Sequence, residues 1–212
     1  MPGKTRHVLL MAGLAMGLAI TSAQASSHGG GKKMKPELIS GAPAALLAAQ
    51  CNGCHGPNGA SSGPATPTIA GQSKDLLMEM MEGFASGEIP STIMGRIAKG
   101  YSKEDVAALA EYYSKLKFVP AKQEFDAAAA KEGAKLHEKY CEKCHEEGGK
   151  KADEDIAIIA GQWKPYLQFT MADFLGGKRE MTKKMKKRVE KLIKSKGEKG
   201  LHAVLEFYAS QQ

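Results

Sequence analysis

Apolar positions along the chain recur at the three- and four-residue spacing of a single helix face. No stretch sustains the period of two that a half-buried strand requires. Val106, Leu109, Tyr113 and Leu116 form one such stripe, and Ser102 with Asp105 three residues later predicts the capping box that opens it. Leu201, Leu205 and Tyr208 form a matching stripe near the end of the chain. Phe125, Ala129, Gly133, Leu136 and Tyr140 predict another helix, residues 43–50 a shorter one, and a further helix should end near Gly87. The pattern predicts an all-α fold with glycine-bearing loops between its helices.

One stretch departs from amphipathic spacing. Val8 to Ile20 is apolar apart from Gly13 and Gly17, follows Lys4 and Arg6, and precedes Ala23-Gln24-Ala25. That order is the one found in secretory signals, so residues 1–25 are expected to be cleaved before Ser26. The run is shorter than the ~20 residues of a membrane span. No later segment is long and apolar enough to cross, so no membrane association is expected after cleavage. Residues 26–41, rich in Ser, Gly and Lys, read as a flexible N-terminal arm.

The remaining chain repeats itself. Ile69-Ala70-Gly71-Gln72 returns ninety positions later as Ile159-Ala160-Gly161-Gln162, followed by Lys74 and Lys164. Leu77, Met81, Phe84 and Gly87 match Leu167, Met171, Phe174 and Gly177 at the same offset. An internal duplication of this length predicts two similar domains in tandem, 42–120 and 121–212, meeting at Pro120-Ala121.

The same offset relates Cys51-Asn52-Gly53-Cys54-His55 to Cys141-Glu142-Lys143-Cys144-His145, which uses all four cysteines. CxxCH is the attachment pattern of c-type haem. Two thiols spaced by two residues reach one porphyrin edge as thioethers, and the adjacent histidine lies under the iron. Cys51, Cys54, Cys141 and Cys144 are therefore expected to hold two haems c, with His55 and His145 as iron ligands. A shared Cys₄ zinc site or disulfides are the competing uses of four thiols, but neither explains the paired histidines or the downstream methionines. Aromatic residues make up 6% of the chain, so a buried haem would supply apolar bulk that each half lacks. Haem attachment outside the cytoplasmic membrane agrees with a periplasmic location.

A haem held by one histidine needs a second axial ligand, and neutral thioether sulfur favours reduced iron. Met94, between the helix ending near Gly87 and the one starting at Ser102, is the candidate in the first half. Met78, Met80 and Met81 lie inside the preceding helix, where packing is their expected role. In the second half Met185 aligns after one inserted residue and is favoured over Met181. By spacing, both fall on one helix face with Val189 and Leu192. A methionine on each iron would leave no open position for substrate, so no catalytic site is expected in this chain.

Charge is uneven. Residues 36–120 hold six Lys/Arg and eight Asp/Glu, whereas 121–212 hold nineteen and fifteen, with much of the excess between Lys178 and Lys199. That segment reads as a solvated helix face or as a docking surface for an acidic redox partner. The net charge of +7 would be offset by haem propionates and gives no reason to expect nucleic acid.

With CxxCH, Pro67-x-Ile69-Ala70-Gly71-Gln72, a loop methionine and a Tyr-Tyr-bearing final helix, the chain resembles the tandem dihaem class I cytochromes c. Within that group it is similar to the cytochrome subunits of flavocytochrome c sulfide dehydrogenases. The likeness is carried by Met81–Phe84, Ser86–Ile89, Ser91–Tyr101, Lys135–His137, Lys139–His145 and Phe207–Gln212, and it covers essentially the chain after residue 25. The resemblance implies two tandem cytochrome c domains, each wrapped around one haem. It also implies an FAD-containing flavoprotein partner that oxidises sulfide, and a soluble redox acceptor beyond this chain. A free-standing dihaem shuttle to a terminal oxidase has the same motif requirements and is the alternative. The segment from Met81 to Tyr101 is expected to face the flavoprotein. Ala157 stands where the first half has Pro67, a departure from the family pattern. That proline's carbonyl typically receives the proximal histidine's ring N–H in this family, so the resemblance implies a less certain backing for the second haem.

Overall fold

The computed structural model describes residues 42–212, so the expected signal segment and arm lie outside the described residues. The first half runs α1 (Ala44–His55), α2 (Lys74–Ser86), the one-turn α3 (Met94–Ile97) and α4 (Lys103–Ser114). The second runs α5 (Ala127–Tyr140), the short turn α6 (Glu146–Gly149), α7 (Lys164–Leu175) and α8 (Lys183–Ala209). Among the described residues there is no strand, only an isolated antiparallel bridge between Asp153 and Ile156.

Local chemistry sets where the helices begin and end. Ser102 and Asp105 form the expected capping box on α4: the Asp105 amide donates to Ser102 Oγ (3.1 Å) and the Ser102 amide to Asp105 Oδ2 (3.3 Å). Ser73 opens α2 by accepting from the Leu76 amide, and Gly87 closes it in the left-handed region at φ 88°. Asp126 caps α5 by accepting from the amides of Ala128 and Ala129. Phe125 therefore precedes the helix and is exposed rather than part of its core stripe. The first helix also runs further than its apolar pattern suggests, through the first cysteine motif to His55.

Each half has its own core. Leu47, Ala48, Leu109 and Tyr113 are the buried centre of the first, where α1 packs against α4. The second centres on Leu136, Tyr140, Leu167, Leu192, Leu201, Val204, Leu205 and Tyr208, with Ala203 beside them. Its main contact is α5 against α8. A Cβ at Gly133 would lie 1.9 Å from the Ala203 carbonyl oxygen, so only glycine permits that crossing. At Gly197 (φ 67°, ψ −171°) α8 leaves helical geometry. The lysine-rich first stretch is thereby separated from the buried Leu201–Tyr208 stripe.

The junction at Pro120-Ala121 is packed. Ala121 is buried and its amide donates to the Gly161 carbonyl (2.7 Å). Trp163 reaches into the first half, where its Nε1 donates to the Ser61 carbonyl (3.0 Å).

Candidate haem-binding sites

The two cysteine motifs sit on one hydrogen-bond plan. Ile69 and Ala70 amides converge on the Gly59 carbonyl, and those of Ile159 and Ala160 on that of Gly149. The Gly71 amide donates to the Tyr113 carbonyl (2.9 Å) and the Gly161 amide to that of Tyr208 (2.8 Å). Gly71 and Gly161 are both left-handed, at φ 73° and 72°, and a Cβ there would meet Phe118 N at 2.8 Å or Gln211 O at 2.6 Å. The loop behind each histidine is thus tied to the terminal helix of its own half.

In the first half, Cys51 is half-buried, Cys54 exposed and His55 buried on the last turn of α1. His55 Nδ1–H donates to the Pro67 carbonyl (2.9 Å). That bond fixes the tautomer and leaves Nε2 with its lone pair, the state needed to bind iron. Burial lowers the His55 pKa, partly opposed by the Pro67 bond, and so keeps the ring neutral. Burial likewise raises the Cys51 pKa, against the lowering effect of the Tyr113 hydroxyl. Two adjacent thiols beside a neutral imidazole with one free nitrogen are the donor set a covalent haem requires.

In the second half, Cys141 is half-buried and Cys144 exposed, as in the first, but both follow the helix in a turn. His145 is also kept neutral by burial, reinforced by nearby His137 and opposed by Asp155. Its Nδ1, however, is buried without a hydrogen-bond partner. Ala157 replaces Pro67, and the preceding segment is closed by the Asp153–Ile156 pair (3.1 and 2.9 Å). The departure noted in the sequence is therefore a missing hydrogen bond in the structure.

A polar cluster absent from the first half lies behind the second motif. His137, at the place of Leu47 in the repeat, is buried between Tyr208 and Glu142. Its Nδ1 pairs with the Tyr208 hydroxyl (2.9 Å) and its Nε2 with Glu142. The first-half counterpart hydroxyl, Tyr113, donates instead to the Ala48 carbonyl (3.1 Å). Tyr208 is held far above its ordinary pKa chiefly by burial, so it keeps its proton. Glu142, lowered first by the His137 bond, also accepts from the amides of Glu147 and Gly148. The apolar stripe read from the sequence does not include position 137; the sequence signals of the cluster are a histidine where the repeat has leucine and Glu142 where it has Asn52.

Met94 is the half-buried first residue of α3. Met185 is half-buried in the first turn of α8, its amide donating to the Thr182 hydroxyl (3.2 Å). Met181 is also half-buried but precedes the Thr182 cap, so it does not share a helix face with Met185, Val189 and Leu192 as its spacing suggested. The cap ends the helix register before it. Met80, expected to pack, accepts from Arg179 Nη2 of the second half (3.0 Å). Among the described residues no group of three or more His, Cys, Asp and Glu could hold a metal ion together.

No protein-family model matches the chain. Cytochrome c-553 of Nitratidesulfovibrio vulgaris (strain Miyazaki F) is 34% identical over 79 residues, covering 35% of this chain and 78% of that protein. The chain belongs to the c-type cytochromes. The cytochrome subunit of sulfide dehydrogenase from Chlorobaculum tepidum is 41% identical over 71 residues, 34% of this chain and 64% of that protein. The thiosulfate dehydrogenase electron acceptor of Thiomonas intermedia is 35% identical over 143 residues, 62% of this chain and 65% of that protein. The matches thus span just under two thirds of these two relatives. Among solved structures, reduced cytochrome c4 of Pseudomonas stutzeri superposes with a TM-score of 0.68 at 25% identity, covering 82% of this chain and all of that one. The fold is that of tandem all-α cytochrome c domains, and this cytochrome carries two covalently bound haems c. No described helix is long and apolar enough to cross a membrane.

Proposed function

We propose that this dihaem cytochrome is the electron-transfer subunit of a sulfide dehydrogenase. It would accept electrons from the FAD of a flavoprotein subunit and relay them to a soluble acceptor outside the cytoplasmic membrane. The observation that carries this reading is the 41% identity to a cytochrome subunit of sulfide dehydrogenase. When bound, the haems supply the one-electron iron couple. The chain's own residues hold them: Cys51 and Cys54 with His55 in 42–120, and Cys141 and Cys144 with His145 in 121–212. Met94 and Met185 would each supply a thioether sulfur to one iron. Burial that keeps both imidazoles neutral supports the histidine assignments.

The flavoprotein docks on the first half, around Met81 to Tyr101. Ile93 and Ile97 are exposed there at 56% and 40%, beside a cavity of about 300 Å³ lined by residues that include Phe84, Ile89, Arg96 and Lys99. Exposed isoleucines next to charged residues suit a lasting interface. The second half, with its exposed lysines, faces the acceptor.

The full-length match to a cytochrome c4 chain favours a second reading, a free-standing shuttle to a terminal oxidase. Purification from the native organism at moderate salt separates the two. A stable one-to-one complex that contains FAD and shows sulfide-dependent haem reduction is expected. A flavin-free monomer that sulfide reduces no faster than other cytochromes would establish the shuttle instead.

A further inference from the structure

We propose that Gln162, a residue of the second half, sets the reduction potential of the first half's haem by polarising the peptide group that backs its proximal histidine. The inference rests on His55 being that ligand.

Two glutamines cross between the halves in mirror image. Gln162, 2% exposed, accepts from the Thr68 amide at Oε1 and donates from Nε2 to the Thr68 carbonyl, both at 2.9 Å. Gln72, 5% exposed, accepts from the Ile158 amide (2.9 Å) and donates to the Ile158 carbonyl (3.1 Å). Residues 68 and 158 are one repeat apart, so each half reads the same backbone position of the other.

What lies beyond each contact differs. The Thr68 N–H and the Pro67 C=O belong to one planar peptide group. That carbonyl receives His55 Nδ1–H at 2.9 Å. An unbroken chain therefore runs from Gln162 Oε1 through the Thr68–Pro67 peptide to the imidazole of the other half. Hydrogen bonds in series in a dry interior strengthen one another. By accepting from the Thr68 amide, Gln162 makes the Pro67 oxygen a better acceptor, and the bond it receives makes the ligand more basic. A more basic ligand favours oxidised iron, so Gln162 lowers the first haem's potential. The mirror chain stops short, because the Ala157–Ile158 peptide that Gln72 contacts gives no bond to His145, whose Nδ1 is unpartnered. Gln72 is thus an internal control: it makes the same bonds across the same junction without reaching a ligand. Gln162 is a positioning and tuning residue that acts through the peptide and does not touch the cofactor.

The test uses the full dihaem protein, with spectroelectrochemistry for the two potentials and hyperfine-shifted proton resonances to assign each to its haem. Gln162→Leu should raise the first haem's potential, leave the second unchanged, and speed deuterium exchange of the His55 Nδ1 proton. Gln72→Leu should move neither potential. Equal shifts from the two variants would show a mere adhesive role and overturn the proposal, as would an unmoved first potential in Gln162→Leu. Should Gln162→Leu not fold, Gln162→Met fills nearly the same space without an acceptor for the Thr68 amide. That variant must raise the first potential and speed the His55 exchange; a fall or no change in either overturns the proposal. A His55→Met variant that keeps the native first-haem spectrum would refute the ligand reading itself, separately from any glutamine result.

Discussion

Lys74 and Lys164 occupy the same place in the repeat and each pairs with a glutamate of the terminal helix of its half, yet the two pairs stand in different surroundings. Lys74 meets Glu111 (2.9 Å) with both side chains more than 40% exposed, and Lys115 shares the same carboxylate. These two lysines pull the Glu111 carboxyl down to about 2. Lys164 meets Glu206 (2.9 Å), whose side chain is 3% exposed and also accepts from the Asp126 amide. The histidine loops diverge in the same manner: the backbone bonds are repeated, but His55 has a carbonyl behind it and His145 has none. Duplication preserved the backbone plan that places each motif and let the buried polar groups differ. The second half has a buried carboxylate paired with a half-buried lysine, the His137–Glu142–Tyr208 cluster and a larger protein core.

The largest break in this comparison comes from the cysteines. Cys51→Ser with Cys54→Ser, or Cys141→Ser with Cys144→Ser, should each leave a protein with one covalent haem by mass spectrometry. The first pair should cost more helix by circular dichroism, because four buried residues centre the first core and nine the second. Equal helix loss would show that the haem, not the side chains, holds both halves alike. Next come the methionines. Met94→Leu should abolish the sulfur-to-iron absorption band of the first haem and lower its potential, and Met185→Leu should do the same for the second. If Met181→Leu removes that second band and Met185→Leu spares it, the ligand is Met181.

The lysines sharpen the contrast in burial. Lys164→Ala should destabilise the protein by about 2 kcal/mol, since the buried Glu206 carboxylate then keeps only the Asp126 amide and the exposed His202 as partners. Lys74→Ala should change stability far less, as expected of an exposed pair whose carboxylate keeps Lys115. Denaturant titration of both variants measures the difference, and similar losses would contradict it.

Acid should act on the second half through Glu142. Its carboxyl is lowered from 4.5 by the His137 bond, so its contribution is complete above that value and is lost as pH falls through the lower folded one. The amides of Glu147 and Gly148 should then exchange faster with solvent, and Glu142→Gln should remove the pH dependence. Asn52 holds the corresponding position in the first half and should show no such change. The smallest effects belong to the caps. Ser102→Ala and Thr182→Ala should each cost about 1 kcal/mol, with Ser102 the larger because its capping box satisfies two groups. Thermal melts resolve the order.

Spacing alone made the helices, the duplication and the two cysteine motifs legible, because helix periodicity and covalent haem attachment are written in local sequence. The Ser102 cap, the Gly87 stop and the Leu201–Tyr208 stripe fall where the pattern placed them, since each depends on neighbours within a turn or two. Loss of backing at His145 could be suspected from Ala157, but a loop has to fold before a carbonyl is present or missing. Met181 shows the limit of spacing, because the Thr182 cap three residues before Met185 leaves it outside the helix. The sequence by itself determined the all-α class, the duplication and the two CxxCH motifs. Tertiary structure alone decided that Lys164 is half-buried against a buried Glu206 where Lys74 and Glu111 are exposed, and that Gln162 meets the peptide behind His55. Those contacts join residues 42 and 94 positions apart, and no local pattern encodes which distant surfaces exclude water together.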